Sequence, residues 1–183
     1  MARKAIVVLA EGFEEIEAVT PIDVLRRADV DVEVVGLEAQ AVTGAHGVTF
    51  QADRVLSDTE DVDAVILPGG LPGADNLAAS AKLAAVIQAQ VAAGKLVAAI
   101  CATPAWVLPQ LGLLDGKRAT CYPGCQDKFG STTTYVTDDV VKDGCVLTSR
   151  GPGTAFDFAL ALARELAGAA KADELAQAML YAK

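Results

Sequence analysis

Four short stretches of the chain are apolar at nearly every position. They are residues 4–9, 63–67, 96–100 and 145–148. Apolar runs of this length predict strands buried on both faces, as in a parallel sheet. Residues 31–37 predict a fifth strand. Between the first and second of these strands, residues 14–28 carry Ile16, Val19, Ile22, Val24 and Leu25 at helical spacing, an apolar stripe along one helix face. Glu14, Glu15 and Glu17 fall in its first turn, where the helix dipole favours negative charge. Pro21 lies within this pattern and has no N–H for the Glu17 carbonyl, so a kink is expected there. Further helices are predicted over 79–93, ended by Gly94, over 154–167 and over 172–182. Residues 40–43 and 48–52, joined by Gly44-Ala45-His46-Gly47, predict a β-hairpin off the main sheet. Residues 117–121 predict a further strand, and weaker β candidates occupy 132–136 and 140–141. Buried strands alternating with helices imply one α/β domain over 1–183, built on a mostly parallel, doubly wound sheet.

The run 96–100 ends at Cys101, and Thr103-Pro104 suit the first turn of a helix, where a missing N–H costs nothing. Cys101 is therefore expected on a strand-to-helix turn at the carboxyl edge of the sheet, where open α/β folds bind ligands. The N–H groups of a helix start favour an anion, so a lowered thiol pKa is expected. A free cysteine after a buried strand also reads as an inert core residue, and spacing alone leaves both readings open. Glu17 follows the first strand as Cys101 follows a later one, so the two are expected at the same sheet edge. The loop Pro68-Gly69-Gly70-Leu71-Pro72-Gly73 matches neither G-x-G-x-x-G nor the P-loop. It reads as a tight turn or as backbone N–H groups presented to a developing oxyanion. His46 reads as a solvated turn residue at the hairpin tip.

Composition narrows the partners. Of the 183 residues 52% are apolar but only 5% aromatic, so the core is expected to be Val, Leu, Ile and Ala. A formal charge of −9 argues against nucleic acid or an anionic membrane as partner. No apolar run approaches the roughly 18 residues of a membrane span. The basic start with its short apolar run is too brief for a signal peptide, and Glu11, Glu14, Glu15 and Glu17 follow at once, so a cytoplasmic protein is expected. Cys101, Cys121, Cys125 and Cys145 are then expected to be reduced. Cys121 and Cys125 are four apart, but one histidine and no second close pair leave a zinc site incomplete, and no metal is expected.

Four segments together resemble one family. Ala10-Glu11-Gly12-Phe13-Glu14-Glu15-Ile16-Glu17, Leu67-Pro68-Gly69-Gly70, Ala98-Ala99-Ile100-Cys101-Ala102 and Leu147-Thr148-Ser149-Arg150-Gly151-Pro152-Gly153-Thr154 occur in the order and spacing of the DJ-1/PfpI (ThiJ/PfpI) superfamily, nearest its DJ-1 and bacterial YajL-like branch. The resemblance implies a flavodoxin-like three-layer sandwich with a cysteine nucleophile elbow, a homodimer, and no cofactor. It makes Cys101 the nucleophile, Glu17 its carboxylic acid partner, and the Gly70 and Ala102 N–H groups an oxyanion hole. Gly69, Tyr122, His46 and Arg150 are then candidate pocket residues. Tyr122 stands where branch members often carry a histidine, and Ala102 stands where PfpI-type peptidases have one. The implied activity is attack of Cys101 on a small reactive carbonyl, a glyoxalase III or deglycase-like conversion of methylglyoxal to lactate. The alternative is an oxidative-stress sensor or chaperone using oxidation of Cys101. A peptidase or amidase is third, because the histidine is missing.

Overall fold

In the computed structural model, which describes residues 2–181, the chain alternates strands and helices. In order these are β1 (Lys4–Leu9), α1 (Glu15–Arg27), β2 (Asp31–Gly36), β3 (Ala41–Thr43), β4 (Thr49–Gln51), β5 (Arg54–Val55), β6 (Ala64–Leu67), α2 (Gly73–Ala79) and α3 (Ala81–Ala92). The second half runs β7 (Leu96–Ile100), α4 (Thr103–Trp106), β8 (Arg118–Ala119), β9 (Thr134–Tyr135), β10 (Val140–Asp143), β11 (Val146–Ser149), α5 (Ala155–Ala167) and α6 (Ala169–Ala178). Seven strands form one sheet in the order β10-β11-β7-β6-β1-β2-β5, parallel throughout except that β10 runs antiparallel to β11. The chain thus winds one way from β1 to β2, then crosses back to β6 and β7. Strand order reverses between β1 and β6, the place where such sheets open a crevice at their carboxyl edge.

The apolar runs form strands because both faces are covered. Ala5, Val7 and Leu9 of β1, Ala64 and Ile66 of β6, and Ala98 and Ile100 of β7 point into one core with α1 and α5. Ile6 and Val8, Val65 and Leu67, and Val97 and Ala99 point into the other, with α2 and α3. Successive side chains point to opposite faces, so a continuous apolar run serves two cores at once. The result is a three-layer α/β sandwich, as expected.

Several local expectations are corrected. The stretch after the glycine loop is two helices, α2 and α3, because the Ser80 hydroxyl caps the second by accepting from the Leu83 N–H (3.2 Å). The β candidates at 117–121 and 132–136 shrink to β8 and β9, a separate two-stranded pair, and the short edge strand β5 carried no local signal. The last helix starts at Ala169 rather than at 172, and the predicted end at Ala182 lies outside the described residues. Pro21 lies inside the span of helix α1, as its position in the pattern predicts. Its apolar stripe is only partly buried: Ile22, Val24 and Leu25 are inside, while Ile16 is 53% and Val19 41% exposed. Glu17 is fully buried at the sheet edge where it was expected to meet Cys101, and Glu15 is buried as well. A helix that turns acids inward and isoleucine outward is organised for something other than packing.

Candidate active site

Strand β7 delivers Cys101 to the carboxyl edge beside the reversal point. Its N–H donates to the Ser149 carbonyl (3.0 Å) and its carbonyl accepts from the Tyr122 N–H (2.8 Å). These bonds hold Cys101 at φ +68°, a left-handed conformation uncommon for a residue with a side chain. Such a sharp strand-to-helix turn lifts the side chain clear of the sheet. The sulfur ends half-buried rather than sealed in the core. The Thr103 hydroxyl donates to the Pro68 carbonyl (2.6 Å), tying this turn to the glycine loop that follows β6.

Glu17 comes from the first turns of α1 and is completely buried. Its Oε2 accepts from the Gly69 N–H (2.8 Å), while Oε1 has no partner of regular hydrogen-bond geometry. Burial pushes its carboxyl up to about 7, against the Gly69 bond and an interaction with Cys101 that lower it. The Cys101 thiol is pushed up as well, first by burial and then by the charge of Glu17, while the N–H groups of Gly70 and Ala102 act the other way. This corrects the expected lowering of the thiol pKa. The two amides do address the sulfur, but loss of water and the neighbouring carboxylate outweigh them. Both groups hold protons more tightly than they would in water, so the pair carries two protons below about 7 and one above it.

Gly69 and Gly70 make this proximity possible. A Cβ on Gly69 would sit 2.5 Å from the Cys101 Cβ and 2.7 Å from Glu17 Oε2. Gly70 has φ +89°, and a Cβ there would strike the Glu14 nitrogen at 2.5 Å. Gly69→Ala is therefore expected to wedge acid and thiol apart, costing about 1–3 kcal/mol of stability and most of the activity. Thermal unfolding read beside an activity assay checks it; an active, equally stable variant would refute the wedge.

Two cavities share Pro152, and neither is lined by Cys101 or Glu17. One, of about 180 Å³, is lined by Tyr122, Pro123, Arg150 and residues 151–154. The other, of about 410 Å³, is lined by Glu14, Glu15, Ile16, His46, Val48 and Pro152. Arg150 follows Ser149 at the end of β11, and its Nε is buried with no hydrogen-bond partner. Tyr122 is 48% exposed, its ring against Gly151. The structure therefore brings Glu17, Gly69, Gly70, Cys101 and Ala102 together, with Tyr122 and Arg150 along one side. His46 is placed apart from the sulfur. The hairpin β3–β4 folds back on α1, Phe50 edge-on to Phe13 (5.8 Å between centroids), and sets the imidazole Nδ1 3.0 Å from Glu15 Oε2 and 3.5 Å from Glu14 Oε2. Its hydrogen bond to Glu15 and the charges of both acids raise its pKa. Cys121 is buried and pushed up to about 12 by that burial, and Cys125 is raised for the same reason. Thr103 and Ser149, which lock the elbow, were missed from sequence, although a threonine opening a helix beside a proline was a visible signal.

Comparison with known proteins places the chain in a family and matches its fold. The model of the DJ-1/PfpI family matches residues 3–165. Protein dj-1beta of Drosophila melanogaster is 42% identical over 186 residues, covering 100% of this chain and 99% of that protein. Its crystal structure covers 100% of both chains with a TM-score of 0.95. DJ-1 homolog B of Arabidopsis thaliana is 43% identical over 94% of this chain, which spans only 40% of that longer protein. The glutathione-independent glyoxalase DJR-1.2 of Caenorhabditis elegans is 36% identical, covering 100% of this chain and 99% of that one.

Proposed function

The chain belongs to the DJ-1/PfpI family, and from that premise we propose that it is a cofactor-free, cysteine-dependent enzyme converting methylglyoxal to lactate. The observation that carries this reading is the buried, proton-holding Glu17 beside a half-exposed Cys101 whose sulfur is addressed by two backbone N–H groups. A similar relative is a glutathione-independent glyoxalase by name.

The reaction balances without any added reagent. Glu17 takes the thiol proton, and the sulfur attacks the aldehyde carbon, forming a C–S bond. The aldehyde oxygen gains the negative charge near the Gly70 and Ala102 N–H groups and then receives the proton from Glu17. The ionised Glu17 removes the remaining hydrogen of that carbon as a proton. Protonation of the neighbouring carbon gives a lactoyl thioester. Water cleaves the C–S bond, releasing lactate and the thiol. One aldehyde carbon is oxidised and the adjacent ketone carbon is reduced, so no external reductant enters. The single histidine is engaged by Glu14 and Glu15, which disfavours a Cys-His hydrolase.

The working form in this reading is a homodimer in a reducing, cytoplasmic setting, with the exposed apolar side chain of Val19 on α1 offered for the contact. Among the described residues no helix is long and apolar enough to cross a membrane. The test is purified protein with methylglyoxal and no glutathione, lactate being followed by NMR. Lactate is expected to form catalytically, with a rate that climbs as pH rises through about 7, where the pair loses its first proton. Lactate formation no faster than in buffer overturns the reading.

A further inference from the structure

We infer that Glu14, Glu15 and His46 form a zinc-binding site of the open, three-ligand kind. The cluster lies beyond the thiol chemistry and is complete within one chain. Its three donor atoms all fall within 4.8 Å of one another. The His46 Nδ1 is 3.5 Å from Glu14 Oε2 and 3.0 Å from Glu15 Oε2. Donors around a tetrahedral zinc with bonds of about 2.0–2.1 Å stand roughly 3.3 Å apart, so the two separations from His46 are close to the spacing the ion requires.

The acids are held for this arrangement by groups outside the cluster. Glu15 Oε1 accepts from the backbone N–H groups of His46 (2.8 Å) and Val48 (3.3 Å), which leaves Oε2 to face the imidazole. Outer hydrogen bonds of this type orient a ligating carboxylate. The hairpin wraps this closely only because residue 44 is glycine: a Cβ there would lie 2.4 Å from the Glu15 carboxyl carbon. Glu14 is tethered by its own N–H to the Gly69 carbonyl (2.9 Å), and its side chain is 13% exposed. The His46 side chain, at 70% exposed, leaves a way in. Two carboxylates against one imidazole leave excess negative charge that a divalent cation neutralises, the metal taking the place of the proton between Nδ1 and Glu15. The fourth position opens on the 410 Å³ cavity with Ile16, Val48 and Pro152, where water completes the tetrahedron. Imidazole and carboxylate donors suit zinc, and no cysteine is required.

His46 is the only histidine, so its ring signals in a proton–nitrogen NMR spectrum are unambiguous. Zinc chloride titrated into the metal-free full chain is expected to shift both ring nitrogens and to saturate at one zinc per chain. Glu14→Gln, which spares the bonds holding the hairpin, is expected to weaken that binding tenfold or more. His46→Asn is expected to lose one zinc per chain by equilibrium dialysis. Imidazole signals that stay put while the cysteines take up zinc would overturn the site. So would equal affinity in folded Glu14→Gln, leaving His46 as an ion-pair latch on the hairpin.

Discussion

Cys101→Ala is expected to lose methylglyoxal consumption by at least about a thousandfold in kcat/KM, because no other group can form the covalent bond on which each later step depends. The fold is expected to survive. Alanine accepts the φ of +68° no worse than cysteine does, and the hydrogen bonds that hold the turn are made by backbone atoms. Cys145 is the control. Its carbonyl accepts from the Val97 N–H, at the end of β7 opposite the elbow, so Cys145→Ala is expected to keep full activity. Steady-state kinetics on the two variants separate a nucleophile from a generally reactive surface thiol. Comparable losses in both would contradict the assignment.

Glu17→Gln is expected to have two effects with different pH behaviour. Activity falls by about a hundredfold or more, since a positioned acid–base group contributes 10²–10⁴ and the amide can neither take nor return the proton. Stability moves the other way. In the unfolded chain the carboxyl ionises near 4.5, whereas burial holds the folded-state value up at about 7. Below both values the acid is protonated in either state, and stability is unaffected. As pH rises from 4.5 to about 7 the folded form retains a proton that the unfolded form has released, so wild-type stability falls by up to about 3 kcal/mol. Glutamine resembles the protonated acid in shape and still accepts from the Gly69 N–H, without that penalty. The melting temperature of the variant relative to wild type is therefore expected to grow between pH 5 and pH 8. A difference independent of pH would mean that Glu17 is ionised throughout.

The layered architecture was readable because β1, β6, β7 and β11 are buried on both faces, and that burial writes an unbroken apolar run. The four motifs placed Cys101, Glu17 and the glycine loop in one neighbourhood. What escaped depends on separations the linear pattern does not encode. The thiol was expected to be acidic because a helix starts after it, a local fact. The opposing effects, burial and the charge of Glu17, exist only once α1 packs beside β7. His46 was read as a solvated turn residue because nothing near position 46 shows that the hairpin folds onto α1 and meets two acids thirty-odd residues earlier. The inverted face of α1, with Glu17 in and Ile16 out, contradicts its own apolar periodicity. Helix periodicity assumes that apolar side chains go inward, and here a buried carboxylic acid, Glu17, takes that place.

The most direct measurement is a carbon-13 NMR titration of the Glu17 carboxyl in the folded wild-type protein. A midpoint near 7 is expected, with the carboxyl still largely protonated where ordinary glutamates have ionised. A midpoint near 4.5 would mean that burial does not hold the proton on Glu17, and it would contradict both the coupled ionisation of acid and thiol and the rise in rate expected through about pH 7.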